Sequence, residues 1–152
     1  MGPVIRLTDA ADLPALTSLI EKYWEFERIK GFDAARISAL LTDLLLSSDR
    51  GQIWIAQEGR HLVGYLLAVY LFSLEHDGLM AEIDEFFVVP EKRSRKIGAA
   101  LLDAATIAMA RRGIRHIQLQ LGTQNTHGQH FYQQQGFMPL SGYQLMHKSL
   151  AL

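Results

Sequence analysis

The sequence predicts a mixed α/β domain with the element order βααβββαβαβ. The apolar period switches repeatedly between two residues and about 3.6 residues, which separates strands from helices. A strand, a helix and a second strand also follow one another over residues 80–121, which makes a crossover unit. Finally, 152 residues with 49% hydrophobic and 20% charged side chains suit one domain, residues 1–152, around one main core.

Val4-Ile5-Arg6-Leu7 reads as the first strand, and Thr8-Asp9 offers a helix cap. Leu13, Leu16, Leu19, Ile20, Tyr23 and Trp24 then recur at helical spacing to about Phe26. Gly31 breaks that helix. Asp33 can cap a second one, striped by Ile37, Leu40, Leu41, Leu44 and Leu45. Gln52 to Ala56 and His61 to Phe72 form a hairpin around Glu58-Gly59-Arg60. A polar loop holds Glu75, His76 and Asp77, and the next strand runs from about Met80 to Val89.

From Lys96 to Ala110 the pattern is helical, and Gly113 ends it. Ile114 to Leu121 alternates apolar and polar residues, as a strand packed on one face does. A short helix covers about Thr126 to Gln135 and stops at Gly136. Phe137 to Ser149 is expected to supply the last strand.

Fifteen Lys and Arg balance sixteen Asp and Glu, for a net charge of -1, and mean hydropathy is +0.05. No global basic field would draw the chain to nucleic acid. No cysteine is present, which rules out disulfides, zinc thiolates and a cysteine nucleophile. The six histidines include His127 and His130 at i,i+3, but no third ligand accompanies them, so no metal site is expected. The first residues do not read as a secretory signal or a myristoylation site, and the apolar runs are too short to span a bilayer. The expectation is a cytoplasmic protein without a membrane partner.

Glu91 to Gly98 follows a strongly apolar strand and opens a helix. The free first-turn N–H groups and the helix dipole make such a start an anion site. Arg93, Arg95 and Lys96 concentrate positive charge there, and Gly98 allows close approach. On these grounds alone a merely polar helix start is an equal reading. Neither a P-loop nor a dinucleotide fingerprint is present.

Phe86-Phe87-Val88-Val89-Pro90-Glu91-Lys92-Arg93-Ser94-Arg95-Lys96-Ile97-Gly98-Ala99-Ala100-Leu101-Leu102 resembles motif A of the GNAT superfamily, the GCN5-related N-acetyltransferases. Arg93, Ile97, Gly98, Leu101 and Leu102 match its pattern. Ser94 and Lys96 stand where the family has glycine. Gly122 to Phe137 resembles motif B, with Asn125, Phe131, Tyr132, Gly136 and Phe137 at full spacing and Gly128 in a small-residue place. The resemblance implies a mainly antiparallel twisted sheet with helices on both faces, a homodimer, and transfer of an acetyl group from acetyl-CoA to an amine.

Carried over residue by residue, the resemblance puts acetyl-CoA against Phe87, Val88, Val89, Arg93, Ser94, Arg95, Lys96, Ile97, Gly98, Ala99, Asn125 and Tyr132. A backbone N–H at Phe87, Val88 or Val89 would steady the oxyanion, and Tyr132 would be the general acid to the leaving thiolate. The plainer reading of Tyr132 is an aromatic anchor.

Ile83 to Val88 is similar to the acidic strand of small-amine acetyltransferases. Asp84 and Glu85 are the candidates to draw the amine and accept its proton. Period two puts Glu82 and Asp84 on one face and Glu85 on the other, unless a bulge intervenes. A solvated sheet edge is the competing reading. Tyr23, Trp24, Glu25, Phe26 and Glu27, with Glu82, Asp84 and Glu85, would form a pocket for a small-molecule amine, although Tyr23 or Trp24 can also belong to the buried helix stripe. The alternative function is an acyl-CoA-binding sensor or structural protein of the same fold.

Overall fold

The computed structural model describes residues 2–151. The chain divides into two compact units, residues 1–120 and residues 121–152.

The first unit holds β1 (Val4–Leu7), α1 (Leu13–Phe26), α2 (Ala34–Leu45), β2 (Gly51–Glu58), β3 (His61–Ser73), β4 (Gly78–Val88), α3 (Ile97–Arg111) and β5 (Ile117–Leu119). The five strands form one sheet in the order β1-β2-β3-β4-β5, antiparallel except for the β4–β5 pair. The parallel pair is the one joined by α3, as a crossover requires.

The start signals act as read. Asp33 accepts from the Arg36 amide at 2.7 Å and caps α2. Asp9 and Asp12 form a capping box on the short 3₁₀ turn that leads into α1. Arg6 fastens that turn to the sheet, donating to both carboxylate oxygens of Asp12 at 2.8 and 2.7 Å.

Helices cover both faces of the sheet. Tyr23 of α1 packs edge-on to Tyr65 of β3 and beside Phe87 of β4, so α1 lies over the face carrying the odd-numbered residues of β3. On the other face, a Cβ added to Gly64 would stand 3.1 Å from Leu101 Cδ1 of α3. Leu16, Ile53, Ile55, Tyr65, Leu66, Leu101 and Met109 are the largest fully buried side chains. They form the core between these layers. Among the described residues no helix is long and apolar enough to cross a membrane.

Two strand expectations are corrected. The strand read over Ile114 to Leu121 is paired only at Ile117–Leu119, against Ala81–Ile83. The second unit holds α4 (Thr126–Gln134), but no strand forms over residues 137–149. Pro139 lacks an N–H to donate, Gly142 has φ 88°, and Met138, Leu140, Tyr143, Leu145 and Met146 remain exposed. That stretch buries no face, and burial is what gives an alternating pattern its strand.

Candidate active site

The carboxylates of β4 are arranged by a bulge. Ile83 faces Ala68 and Glu85 faces Leu67, leaving Asp84 as the extra residue. Glu82, opposite Val69, therefore shares the α1 face with Glu85. Without the bulge it would share a face with Asp84, as period two alone gives. Glu82 accepts from Gln118 Nε2 at 2.9 Å. Asp84 keeps an exposed edge, yet the protein around it and the nearby Glu82 carboxylate raise its pKa.

Glu85 is half-buried between α1 and the sheet. Trp24 Nε1 donates to its Oε2 at 2.9 Å, and the Tyr65 hydroxyl donates to its Oε1 at 2.8 Å. Burial pushes the Glu85 pKa up, the two hydrogen bonds pull it down, and the Asp84 charge pushes it up again, with a net rise. Among the described residues no cation lies within ion-pair distance of Glu85. A carboxylate with raised pKa and no salt bridge is suited to receiving a proton or an ammonium group. Sequence reasoning missed Tyr65. The signal available was a phenol within the apolar run of β3, one of two with Tyr70, which must find a partner when buried.

The end of β4 turns one backbone amide away from β3. Val89 donates its N–H to the Val63 carbonyl at 2.9 Å. Alternation along an antiparallel ladder turns the Phe87 amide toward β3 as well, and the Val88 amide toward the opposite edge. On that edge β5 pairs only with Ala81–Ile83, so β4 runs on to Val88 past the end of the ladder. Of the three amides considered for the oxyanion, Phe87 and Val89 are thus committed to β3, and Val88 points to the edge that the β5 ladder leaves beyond Ile83.

Beyond β4, a 3₁₀ turn at Pro90–Lys92 leads to α3. Lys92 pairs with Glu58 at 2.8 Å. Arg93 donates through Nε to the Val88 carbonyl at 2.9 Å and lies 4.5 Å over the Phe26 ring. Arg93 is held against the strand end, while Arg95 and Lys96 stay exposed. Ser94 and Lys96 both have left-handed backbone, with φ 68° and 62°. No side chain caps α3, so the first-turn amides of Ile97, Gly98 and Ala99 face outward without an intrahelical acceptor. Ile97 is buried, anchoring the turn to the core.

The expected acceptor residues separate. Tyr23 and Phe26 belong with Phe87 to one aromatic cluster, and Glu27 caps the C-terminal end of α1. Trp24, which also packs edge-on to Phe32, gives its N–H to Glu85. A cleft of about 390 Å³ opens between Lys22, Glu25, Phe26 and Phe87, Val89, Pro90, Glu91. Glu85 does not line it.

In the second unit, Asn125 accepts from the Gly128 amide at 2.8 Å and caps α4. A Cβ at residue 128 would meet the Asn125 amide group at 2.7 Å, so a larger residue there would require the capping side chain to shift. Tyr132 packs edge-on to Phe131 and Phe137. Burial pushes its pKa up to about 12, so the phenol remains a donor throughout the neutral range.

The family described as "Acetyltransferase (GNAT) family" matches residues 13–137. An uncharacterised N-acetyltransferase, YhfO, of Bacillus subtilis (strain 168) is 27% identical over 139 residues, covering 91% of this chain and 92% of that protein. The crystal structure of an integron cassette protein from the mobile metagenome of Cole Harbour Salt Marsh superposes with a TM-score of 0.85 at 28% identity, covering 97% of this chain and 91% of that one. A predicted acetyltransferase from Clostridium acetobutylicum, crystallised with acetyl-CoA, has a TM-score of 0.80 at 18% identity, with 95% and 96% covered.

Proposed function

The chain belongs to the acetyltransferase (GNAT) family, and from that premise we propose that it transfers the acetyl group of acetyl-CoA to a primary amine of a small-molecule or amino-acid-like acceptor. The observation that carries this reading is Glu85, a half-buried carboxylate with no ion pair among the described residues, three residues before Val88, whose amide points away from β3.

The acetyl-CoA pyrophosphate would sit on the first-turn amides of Ile97, Gly98 and Ala99, with Arg95 and Lys96 adding charge. The Val88 amide would donate to the thioester oxygen as it gains negative charge. Glu85 would draw the ammonium form of the acceptor and take its proton, directly or through water. The freed nitrogen lone pair then attacks the carbonyl carbon, and a tetrahedral intermediate forms within a ternary complex.

Collapse of the intermediate breaks the carbon–sulfur bond, and the nitrogen gives up its remaining ammonium proton to water, leaving a neutral amide and a thiolate. Tyr132 would donate to the departing sulfur. A phenol near 12 is a weaker acid than a thiol near about 8.5. Its contribution is therefore a hydrogen bond to the developing thiolate, and complete proton transfer is uphill.

Turnover of acetyl-CoA across a panel of small amines tests this reading, with Tyr132→Phe expected to lower turnover while CoA binding persists. Tight CoA binding with no turnover across amines and peptides would favour the sensor. The same reading places the protein in the cytoplasm as a homodimer, and light scattering of the purified chain reads its mass.

A further inference from the structure

The geometry of Glu85 points beyond that residue. We propose that Tyr65 and Trp24 are positioning residues, which hold the Glu85 carboxylate ionised and aimed at the acceptor amine. The inference rests on the reading that Glu85 receives that amine.

Each carboxylate oxygen accepts one hydrogen bond from a neutral donor, Oε1 from Tyr65 at 2.8 Å and Oε2 from Trp24 at 2.9 Å. A carboxylate has about four acceptor positions, so each oxygen keeps a lone pair for an ammonium group. The donors come from opposite sides of the layer, Trp24 from α1 and Tyr65 from β3. Both carboxylate oxygens are thereby fixed.

Neither donor can compete for the proton. Burial and the adjoining Glu85 charge drive the Tyr65 pKa far upward, and an indole N–H does not ionise. Tyr65 is 0% exposed, so it acts through Glu85 and touches no acceptor. Tyr23 backs it with an edge-on ring at 6.1 Å, and Phe32 backs Trp24 at 5.7 Å. The groups acting on Glu85 are Trp24 from α1, Tyr65 from β3 and Asp84 on its own strand, with Tyr23 of α1 acting on Tyr65 behind them. Asp84 raises the Glu85 pKa while Tyr65 and Trp24 lower it, so the two donors offset part of the rise that burial and a like charge cause.

The test follows the Glu85 carboxyl by ¹³C NMR, assigned by its loss in Glu85→Gln, together with the acid limb of kcat/KM for one fixed amine. Tyr65→Phe and Trp24→Phe should each move the Glu85 titration to higher pH, on the order of one unit for a lost hydrogen bond to a charged group. The acid limb should move with it. Two variants on different elements keep the test open if one fails to fold. A Glu85 titration unmoved in both, or one that moves while the acid limb stays, would overturn the positioning role. If Glu85→Gln keeps wild-type turnover, the reading of Glu85 itself fails, and the NMR result stands apart from it.

Discussion

Ser94 and Lys96 stand two residues apart and share the left-handed backbone region, with φ 68° and 62°. They are the two positions at which this chain departs from the glycines of its family motif. The loop keeps a glycine conformation without the glycines. A left-handed residue with a Cβ costs roughly 1–2 kcal/mol. Ser94→Gly should therefore stabilise the protein by up to about 1 kcal/mol, since glycine's extra unfolded-state freedom takes back roughly 0.5–1 kcal/mol. Thermal melting should show a rise of about 2–4 °C per kcal/mol gained. An unchanged or lower midpoint would mean that the loop relaxes at no strain.

At Lys96 the charge and the strain can be separated. Asparagine tolerates the left-handed region better than lysine, so Lys96→Asn removes the charge without adding strain. Titration calorimetry with CoA should show weaker binding by several-fold and a shallower dependence on salt, as expected for losing one cation beside a phosphate. Lys96→Arg should bind like the wild type. If Lys96→Asn binds CoA equally well at all salt concentrations, the ammonium points away from the ligand.

What the sequence could disclose follows from how local each feature is. The loop after β4 is set by neighbours within a few residues and was legible; Asn125, assigned by resemblance to acetyl-CoA, was not read as the cap of α4. The carboxylates of β4 were legible as a group, but their faces were not. One bulge at Asp84 exchanges them, and a bulge depends on pairing with β3. Tyr65 lies 20 residues from Glu85 and Trp24 lies 61 away, so only the assembled sheet and helix reveal the clamp. Residues 137–149 show the opposite failure. Their apolar content suggested a strand, but propensity without a buried face does not make one.

Asp12 and Arg6 predict an acid-sensitive fold. The Asp12 carboxyl is held below its ordinary pKa, first by the hydrogen bond from Arg6. A depressed carboxylate pKa stabilises the fold fully above the unfolded value of about 3.9 and loses that contribution as pH falls through the folded value. Asp12→Asn should destabilise the fold near pH 7 by about 1 kcal/mol, as for a bidentate but only part-buried contact, and lower the melting midpoint. The difference between variant and wild type should shrink below about pH 4. A constant difference across that range would show that the pair contributes through packing alone.

Glu85 gives a sign for the pH dependence of activity. Its pKa lies above the ordinary glutamate value of about 4.3, chiefly through burial. Proton acceptance needs the ionised form, so kcat/KM should fall as pH drops through that raised value. Glu85→Gln should lower kcat/KM by about 10²–10⁴-fold with CoA affinity unchanged. A variant that keeps the wild-type profile would move the proton acceptor to Asp84 or to water.

Gly64 packs the core against the end of β4. A Cβ there would meet the Phe87 carbonyl oxygen at 3.0 Å, Leu101 Cδ1 at 3.1 Å and Val88 Cγ2 at 3.2 Å. Leu101 can shift a few tenths of an ångström within α3, but the Phe87 carbonyl is fixed in the ladder. Gly64→Ala should therefore destabilise the protein by about 1–3 kcal/mol, the usual range for overpacking. The strain bears on β4 beside Val88, whose amide is the proposed donor to the thioester oxygen. Turnover should consequently fall further than the loss of folded protein explains, with kcat affected more than CoA affinity, because the amide matters most once charge develops. Measuring kcat and CoA affinity at a temperature where the variant is fully folded separates the two. If kcat is then unchanged, the Val88 amide is either unmoved by the packing change or not the donor.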